Sequence, residues 1–272
     1  MRKLTLLLLS VFALTAVAQV TTVPAIIQKG YDGEVTIIFN PNEGNGGMKD
    51  DATLVNIGAK DIDNIVISKL ENEYKGASTA LIYDGNYQLL VAVMLSAQCT
   101  DERVNKVTAV LFKDYGTPQK MSALSQEKLA QIIKPCGLFN AKAKHILSAT
   151  NAILTRYNGE VPTTFNELIA LDGVGRKTAD VMIAVAFGGD AIAVDTHVFR
   201  VSNRIGLVKA KNPLNTELQL QKVIEKSKWS SAHHYILWHG RKVCSARNPK
   251  CGECFLNKEC DYYKKNLRKN NL

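Results

Sequence analysis

From about Asp61 onward, apolar residues recur close to every 3.6 positions and seldom alternate in twos. This period commits most of the 272-residue chain to helices whose apolar stripes must be covered by one another. Ile62, Ile65, Val66 and Leu70 form one such stripe, and the spacing predicts further helices over 86–97, 101–113, 126–134, 140–157, 165–171, 176–187, 195–205, 214–227 and 230–240. Ser125 is placed as an N-cap, and Thr164 with Glu167 three residues on has the form of a capping box. Gly137, Gly159, Gly188-Gly189 and Gly240 fall where helices are expected to stop. No period of about 20–50 residues repeats, which excludes a solenoid. The expected fold is all-α, with roughly ten short helices.

The first 47 residues read differently. Arg2 and Lys3, the apolar run Leu4–Leu14 and Ala16-Val17-Ala18 have the form of a secretory signal. The run is too short, and too interrupted by Thr5, Ser10 and Thr15, for a membrane span. Glu34–Phe39 is the most β-prone stretch in the chain, and Gly44-Asn45-Gly46-Gly47 is a flexible break before Met48. Either the protein is exported, or residues 1–47 stand apart from a functional domain that starts near Met48.

The apolar content of 46% supports a real core and excludes a disordered chain. The formal charge of +9 favours an anionic partner, nucleic acid or membrane surface. Its location is informative: from Arg241 to Leu272 nine Lys and Arg face three acids, so six of the nine surplus charges lie there. Four of the six cysteines share that segment, as Cys244, Cys251, Cys254 and Cys260 in a C-x6-C-x2-C-x5-C pattern. Four thiols so close suit a tetrahedral metal or an iron–sulfur cluster, and a single C-x2-C knuckle favours the cluster over zinc. Cys99 and Cys136 lie far off in apolar, helical contexts, which argues against a disulfide framework.

Between two predicted helices lies Leu171-Asp172-Gly173-Val174-Gly175-Arg176-Lys177-Thr178-Ala179. Two glycines two apart allow a tight turn whose backbone amides, with those of the next helix, can hold a phosphate. The same pattern also suits an ordinary helix–helix turn. Lys177 falls in the first turn of the following helix, where the macrodipole disfavours a cation. Partial burial there would lower the amine's pKa and make it a nucleophile; alternatively it meets a phosphate. Asp195, in Ala193–Arg200, is an N-cap by position, and beside a lysine nucleophile it could instead take up a proton. His145, His233, His234 and His239 read as surface or satisfied core groups, and His197 draws interest only because it follows Asp195 by two.

These motifs together resemble endonuclease III, the bifunctional DNA glycosylase/lyase family of the helix-hairpin-helix superfamily. The matching segments are Leu95–Asp101, Gly137–Ala143, Gly159–Pro162, the 171–179 hairpin, Val194–Val201, His239–Arg241 and the four-cysteine loop, in family order over about residues 62 to 263. The resemblance implies two helical domains with DNA in the cleft between them. One is a six-helix domain over 80–190 that carries the hairpin. The other is discontinuous, built from 48–79 and 191–272, and holds a [4Fe-4S] cluster on Cys244, Cys251, Cys254 and Cys260. It implies base-excision repair of oxidised or ring-saturated pyrimidines in double-stranded DNA, with cleavage 3′ of the abasic site by β-elimination. Lys177 matches the Schiff-base nucleophile and Asp195 the essential carboxylate. Gln98 and Leu138 match the residues that fill the gap left by a flipped base, Gly173 and Gly175 those that grip a phosphate, and Arg176 and His197 further DNA contacts.

Asp172 departs from the family, which usually has proline there, so weaker DNA binding is expected. An adenine-mispair glycosylase relative shares the hairpin and cluster, but it lacks a lysine at this hairpin position. A non-catalytic iron–sulfur DNA-binding module would leave Lys177 and Asp195 together by chance. The expectation is a monomeric, intracellular, cytoplasmic enzyme with no membrane partner, with residues 1–47 an artefact of gene assignment or assembly. The signal-like residues 1–18 conflict with that location.

Overall fold

The computed structural model describes residues 25–29, 35–39, 55–57 and 59–270. The signal-like stretch 1–18 and the Gly44–Gly47 break lie outside them. The chain divides into two compact units, Met1–Ala59 and Lys60–Leu272. In the first, β1 (Ala25–Lys29), β2 (Val35–Phe39) and β3 (Val55–Ile57) form an antiparallel sheet in the order β1-β2-β3. Ala25 pairs with Phe39 and Lys29 with Val35, while Val35 pairs with Ile57. Residues 35–39 of the β-prone run are thus the central strand.

The second unit is helical, with no strand among its described residues. Its helices are α1 (Ala59–Glu73), α2 (Gly85–Leu95), α3 (Asp101–Tyr115), α4 (Pro118–Ser122), α5 (Gln126–Ile133) and α6 (Phe139–Arg156). They continue as α7 (Phe165–Ile169), α8 (Arg176–Val181), α9 (Thr196–Ile205), α10 (Pro213–Val223), α11 (Trp229–Lys242) and α12 (Asp261–Asn270). Ser125 and Thr164 cap α5 and α7 as expected, their hydroxyls accepting from the amides of Lys128 and Glu167. The pattern missed α4, although Thr117 before Pro118 is a helix-start signal, and it missed α12. The single helix expected over 176–187 is α-helical only to Val181, then widens into a π turn over Met182–Ala186.

One hydrophobic core runs from Tyr87 to Ala193. Its centre is α2, in which Tyr87 and every residue from Leu89 to Leu95 are buried; a helix apolar all round must be surrounded. The other buried apolar side chains come from both ends of the unit. Ile62, Val66, Ile67 and Leu70 of α1 belong to this group, as do Val198, Val201, Ile205, Leu220, Ile236 and Leu256. Lys69 Nζ meets Glu259 Oε1 at 2.8 Å, and Tyr74 stacks near Phe255, so α1 is tied to the cysteine-rich loop.

Gly240 does not end a helix. It lies inside α11 and lets that helix approach α9: a Cβ there would sit 3.0 Å from both His197 Cβ and Val201 Cγ2. Periodicity could not reveal this, because a glycine for close approach and a glycine for a stop look alike in sequence. Gly240→Val is therefore expected to destabilise the protein by about 2 kcal/mol through overpacking, read as a lower denaturation midpoint with an unchanged slope. A midpoint equal to the parent's would refute close packing at this point.

Candidate active site

The hairpin between α7 and α8 is fastened by its apolar residues. Leu171 and Val174 are buried, and the Val174 amide donates to the Leu171 carbonyl at 3.1 Å. Gly173 is required twice over: its φ is +75°, and a Cβ would lie 2.5 Å from His145 Cβ. Gly175, the N-cap of α8, has nothing within 4 Å of where a Cβ would be, so the backbone is open to a ligand. No side chain caps α8, and its first amides keep their donors for that side.

Lys177 projects from this first turn into a cleft open to solvent. Its walls come from three places. The 78–81 segment and His233, His234, Leu237 and Arg241 of α11 form one side; Val93, Ser96 and Asp101 close another; Asp195 faces in from the start of α9. Lys177 keeps surface open through the cleft mouth, yet its amine is ringed by protein in place of water. That crowding lowers its pKa, against the opposing pull of Asp195 and Asp101, and Arg241 lowers it further. The structure thus brings Lys177 and Asp195 to one cavity.

Asp195 is also the N-cap of α9, and the two roles are compatible. Its Oδ1 accepts from the amides of His197 and Val198 at 2.8 and 2.7 Å, which holds the carboxylate in place and leaves Oδ2 for the cleft. Residues passed over in sequence complete the site. His233 Nδ1 donates to the Ala193 carbonyl at 2.6 Å, steadying the chain two residues before Asp195. Burial, with His234 beside it, pushes the His233 pKa well below the ordinary range, so the ring is neutral and Nε2 is an acceptor. Asp101 Oδ2 and Arg241 Nη1 pair at 2.8 Å across the cleft. Both lie in motifs quoted above, but only the fold reveals that they face each other.

Two expected DNA contacts are engaged elsewhere. Arg176 Nη1 pairs with the buried Glu217 at 3.0 Å and its guanidinium stacks on Phe165 at 4.7 Å. His197 Nδ1 contacts Arg200 Nη2 at 3.1 Å, under Gly240. Neither lines the cleft. Asp172 Oδ1 lies 2.9 Å from His145 Nδ1 without a hydrogen bond between them. Gln98 and Leu138 are both exposed, Leu138 by 58%.

Cys244, Cys251, Cys254 and Cys260 line a second cavity of about 340 Å³, open to solvent and apolar, with Ile205, Val243, Leu256 and His239 among its walls. Among the described residues no three His, Cys, Asp or Glu side chains are close enough to hold a single metal ion. Four thiols lining one cavity are the donor set an iron–sulfur cluster takes. Burial and mutual repulsion raise the thiol pKa values of Cys251 and Cys254, and that of Cys260 to about 11. A cationic group among them would reverse that cost. Donors already face the sulfurs: Arg204 Nη1 is 3.5 Å from Cys244 Sγ, and His239 Nε2 is 3.6 Å from Cys254 Sγ. His239, dismissed in sequence, receives the Tyr74 hydroxyl at Nδ1 (3.1 Å) and is therefore oriented.

Comparison with known proteins matches residues 91–226 to the HhH-GPD superfamily of base excision DNA repair proteins. Residues 244–260, the span bounded by the outer two cysteines, match the iron–sulfur binding domain of endonuclease III. Endonuclease III of Rickettsia conorii (strain ATCC VR-613 / Malish 7) is 48% identical over 185 residues, 68% of this chain and 88% of the relative. That of Escherichia coli (strain K12) is 42% identical over 200 residues, 74% of this chain and 95% of the relative. A solved structure described as a trapped endonuclease III–DNA covalent intermediate, an estranged-adenine complex, superposes with a TM-score of 0.75 at 42% identity. It covers 78% of this chain and 100% of its own.

Asp180, one helical turn after Lys177, is buried with Oδ2 unpaired. Burial, with Glu217 nearby and against Arg176, raises its pKa from 3.8 to about 7. Folded Asp180 keeps a proton that the unfolded chain releases near pH 4, so its contribution is full below pH 4 and is lost as pH rises through about 7. Asp180→Asn should flatten that decline and raise Tm at pH 8 by roughly 2–5 °C. A melting profile with an unaltered pH slope would show that Asp180 is ionised throughout.

Proposed function

This chain belongs to the endonuclease III family of base-excision repair glycosylases and AP lyases, and from that premise we propose that it removes oxidised or ring-saturated pyrimidines through Lys177 and Asp195. Its partner is DNA and its cofactor a [4Fe-4S] cluster. The observation that carries the reading is the shared cleft: an amine with a lowered pKa and a capped carboxylate line one cleft open to solvent. A relative 42% identical has been trapped as a covalent DNA intermediate, which supports covalent chemistry here.

In this reading the damaged nucleotide is flipped into the cleft, because its C1′ is out of reach in the stack. Asp195 accepts a proton from the Lys177 ammonium, and the free amine attacks C1′. The bond from C1′ to the base breaks as the new C–N bond forms, and the base departs with the bonding pair. The departing base takes a proton from the new C1′ ammonium. Asp195 returns its proton to the ring oxygen O4′ as the C1′–O4′ bond breaks, and the protonated imine so formed makes a C2′ proton acidic. Loss of that proton expels the 3′ phosphate and cuts the strand. Gln98 hydrogen-bonds the orphaned base while Leu138 wedges the stack, and the amides of Gly173 and Gly175 grip a backbone phosphate. Arg176 and His197 support these contacts by steadying the hairpin and the start of α9.

Cys244, Cys251, Cys254 and Cys260 would hold the cluster, which when bound would staple the C-terminal loop, whose basic residues supply salt-sensitive, sequence-independent binding. The reading keeps a six-helix domain over 80–190 and a discontinuous cluster domain from 48–79 and 191–272. The core from Tyr87 to Ala193 supports the first, and the buried residues 62–74 and 198–256 support the part of the second that lies within 62–272. The reading includes a cytoplasmic monomer, since a thiolate-held cluster and a DNA substrate both belong to a reducing interior. Among the described residues no helix is long and apolar enough to cross a membrane.

Borohydride added to enzyme and abasic-site duplex should yield a covalent complex. It should be absent in Lys177→Ala and formed roughly 100-fold more slowly in Asp195→Asn. A complex that persists in Lys177→Ala would overturn the assignment. Asp172→Asn removes a negative charge beside the phosphate site and should tighten duplex binding about fivefold at low salt, the gain fading as salt rises. Equal affinity at every salt concentration would mean that Asp172 does not sense the phosphate.

A further inference from the structure

Gln98 and Leu138 lie on separate loops but share an unfavourable backbone, with φ of 56° and 48°. The other two non-glycine residues with positive φ among those described are Asn158 and Asn248, for which the left-handed region is ordinary. A glutamine and a leucine stay there only when their surroundings hold them.

One side chain spans both loops. Lys142, in the first turn of α6, is 7% exposed and sends its ammonium between them. Nζ donates to the carbonyls of Leu95 at 2.8 Å, Ala97 at 2.7 Å and Cys136 at 2.9 Å. All three ammonium protons are used. Leu95 is the last residue of α2, and Ala97 immediately precedes Gln98. Cys136 closes the 3-10 turn Lys134–Cys136, two residues before Leu138. The ammonium thus sits where unpaired carbonyls gather at the negative ends of two helical segments. Filling a core would need only an aliphatic side chain, whereas a buried cation in a first helical turn is costly unless its contacts do something else. From α6 itself, the Lys142 amide returns to the Leu138 carbonyl at 3.0 Å, so one residue reaches both loops by backbone and side chain.

We propose that Lys142 is a positioning residue for base extrusion: its ammonium sets the spacing of the Gln98 and Leu138 loops so that both side chains enter the duplex together. It touches no DNA and acts through the two loops. The proposal rests on the reading of Gln98 and Leu138 as the gap-filling pair.

The test compares single-turnover rates of the cluster-loaded enzyme on two substrates. One is a duplex with a ring-saturated pyrimidine; the other is a single-stranded oligonucleotide with an abasic site, which has no stack to open. Lys142→Met should slow excision from the duplex roughly 10- to 100-fold and leave single-strand cleavage within about twofold. In a Gln98→Ala/Leu138→Ala background, adding Lys142→Met should cause no further loss, because the side chains it places are gone. Lys142→Arg keeps the charge and decides the same question should the methionine variant not fold: its loss should again be confined to the duplex. Equal loss on both substrates, or an additive loss in the triple variant, would overturn the role of Lys142. Full duplex activity in the Gln98→Ala/Leu138→Ala variant would instead overturn the wedge reading, and Lys142's role with it.

Discussion

A lysine amine held at a helix start, with protein in place of much of its water, is the constraint that the rest of this molecule serves. Both features raise the free energy of the ammonium relative to the amine, one through the macrodipole and one through desolvation. An isolated α8 could supply only the first. The second needs walls, and these come from α2, α11 and the 78–81 segment, which are far apart in sequence. The carboxylates of Asp195 and Asp101 oppose the shift.

The surroundings are arranged with little freedom. Gly173 tolerates no side chain, because His145 is against it and its φ is positive. Gly240 brings α11 against α9 and so fixes how far the α11 residues stand from Asp195. Polar side chains hold positions more than they add charge: His233 steadies Ala193, Arg176 is bound to Glu217, and Tyr74 orients His239 toward a cluster thiol. Cluster loop and cleft meet in α11, since Arg241 reaches the cleft while His239, two residues earlier, faces the cysteines.

Much of this was legible from local rules. Helix spans followed the apolar period, the Thr164 and Ser125 caps formed, and the four cysteines line one cavity. What failed did so for physical reasons. Gly240 was assigned as a stop because a missing side chain signals either a turn or a close contact, and only the partner helix decides which. His233 and His239 are satisfied core groups as expected, and only the fold shows which atoms satisfy them. The pairing of Arg176 with Glu217, 41 residues away, is invisible in sequence, where only its basicity shows.

The amino-acid sequence by itself determined the helical class, the hairpin, the thiol cluster and the family, since each depends on residue type at short spacing. Tertiary structure decided which groups share the cleft. Whether Lys177 is a nucleophile or a surface cation, and whether Asp195 is a cap or also a proton acceptor, turns on burial and on neighbours brought together by packing. Those are long-range quantities, set by where helices meet.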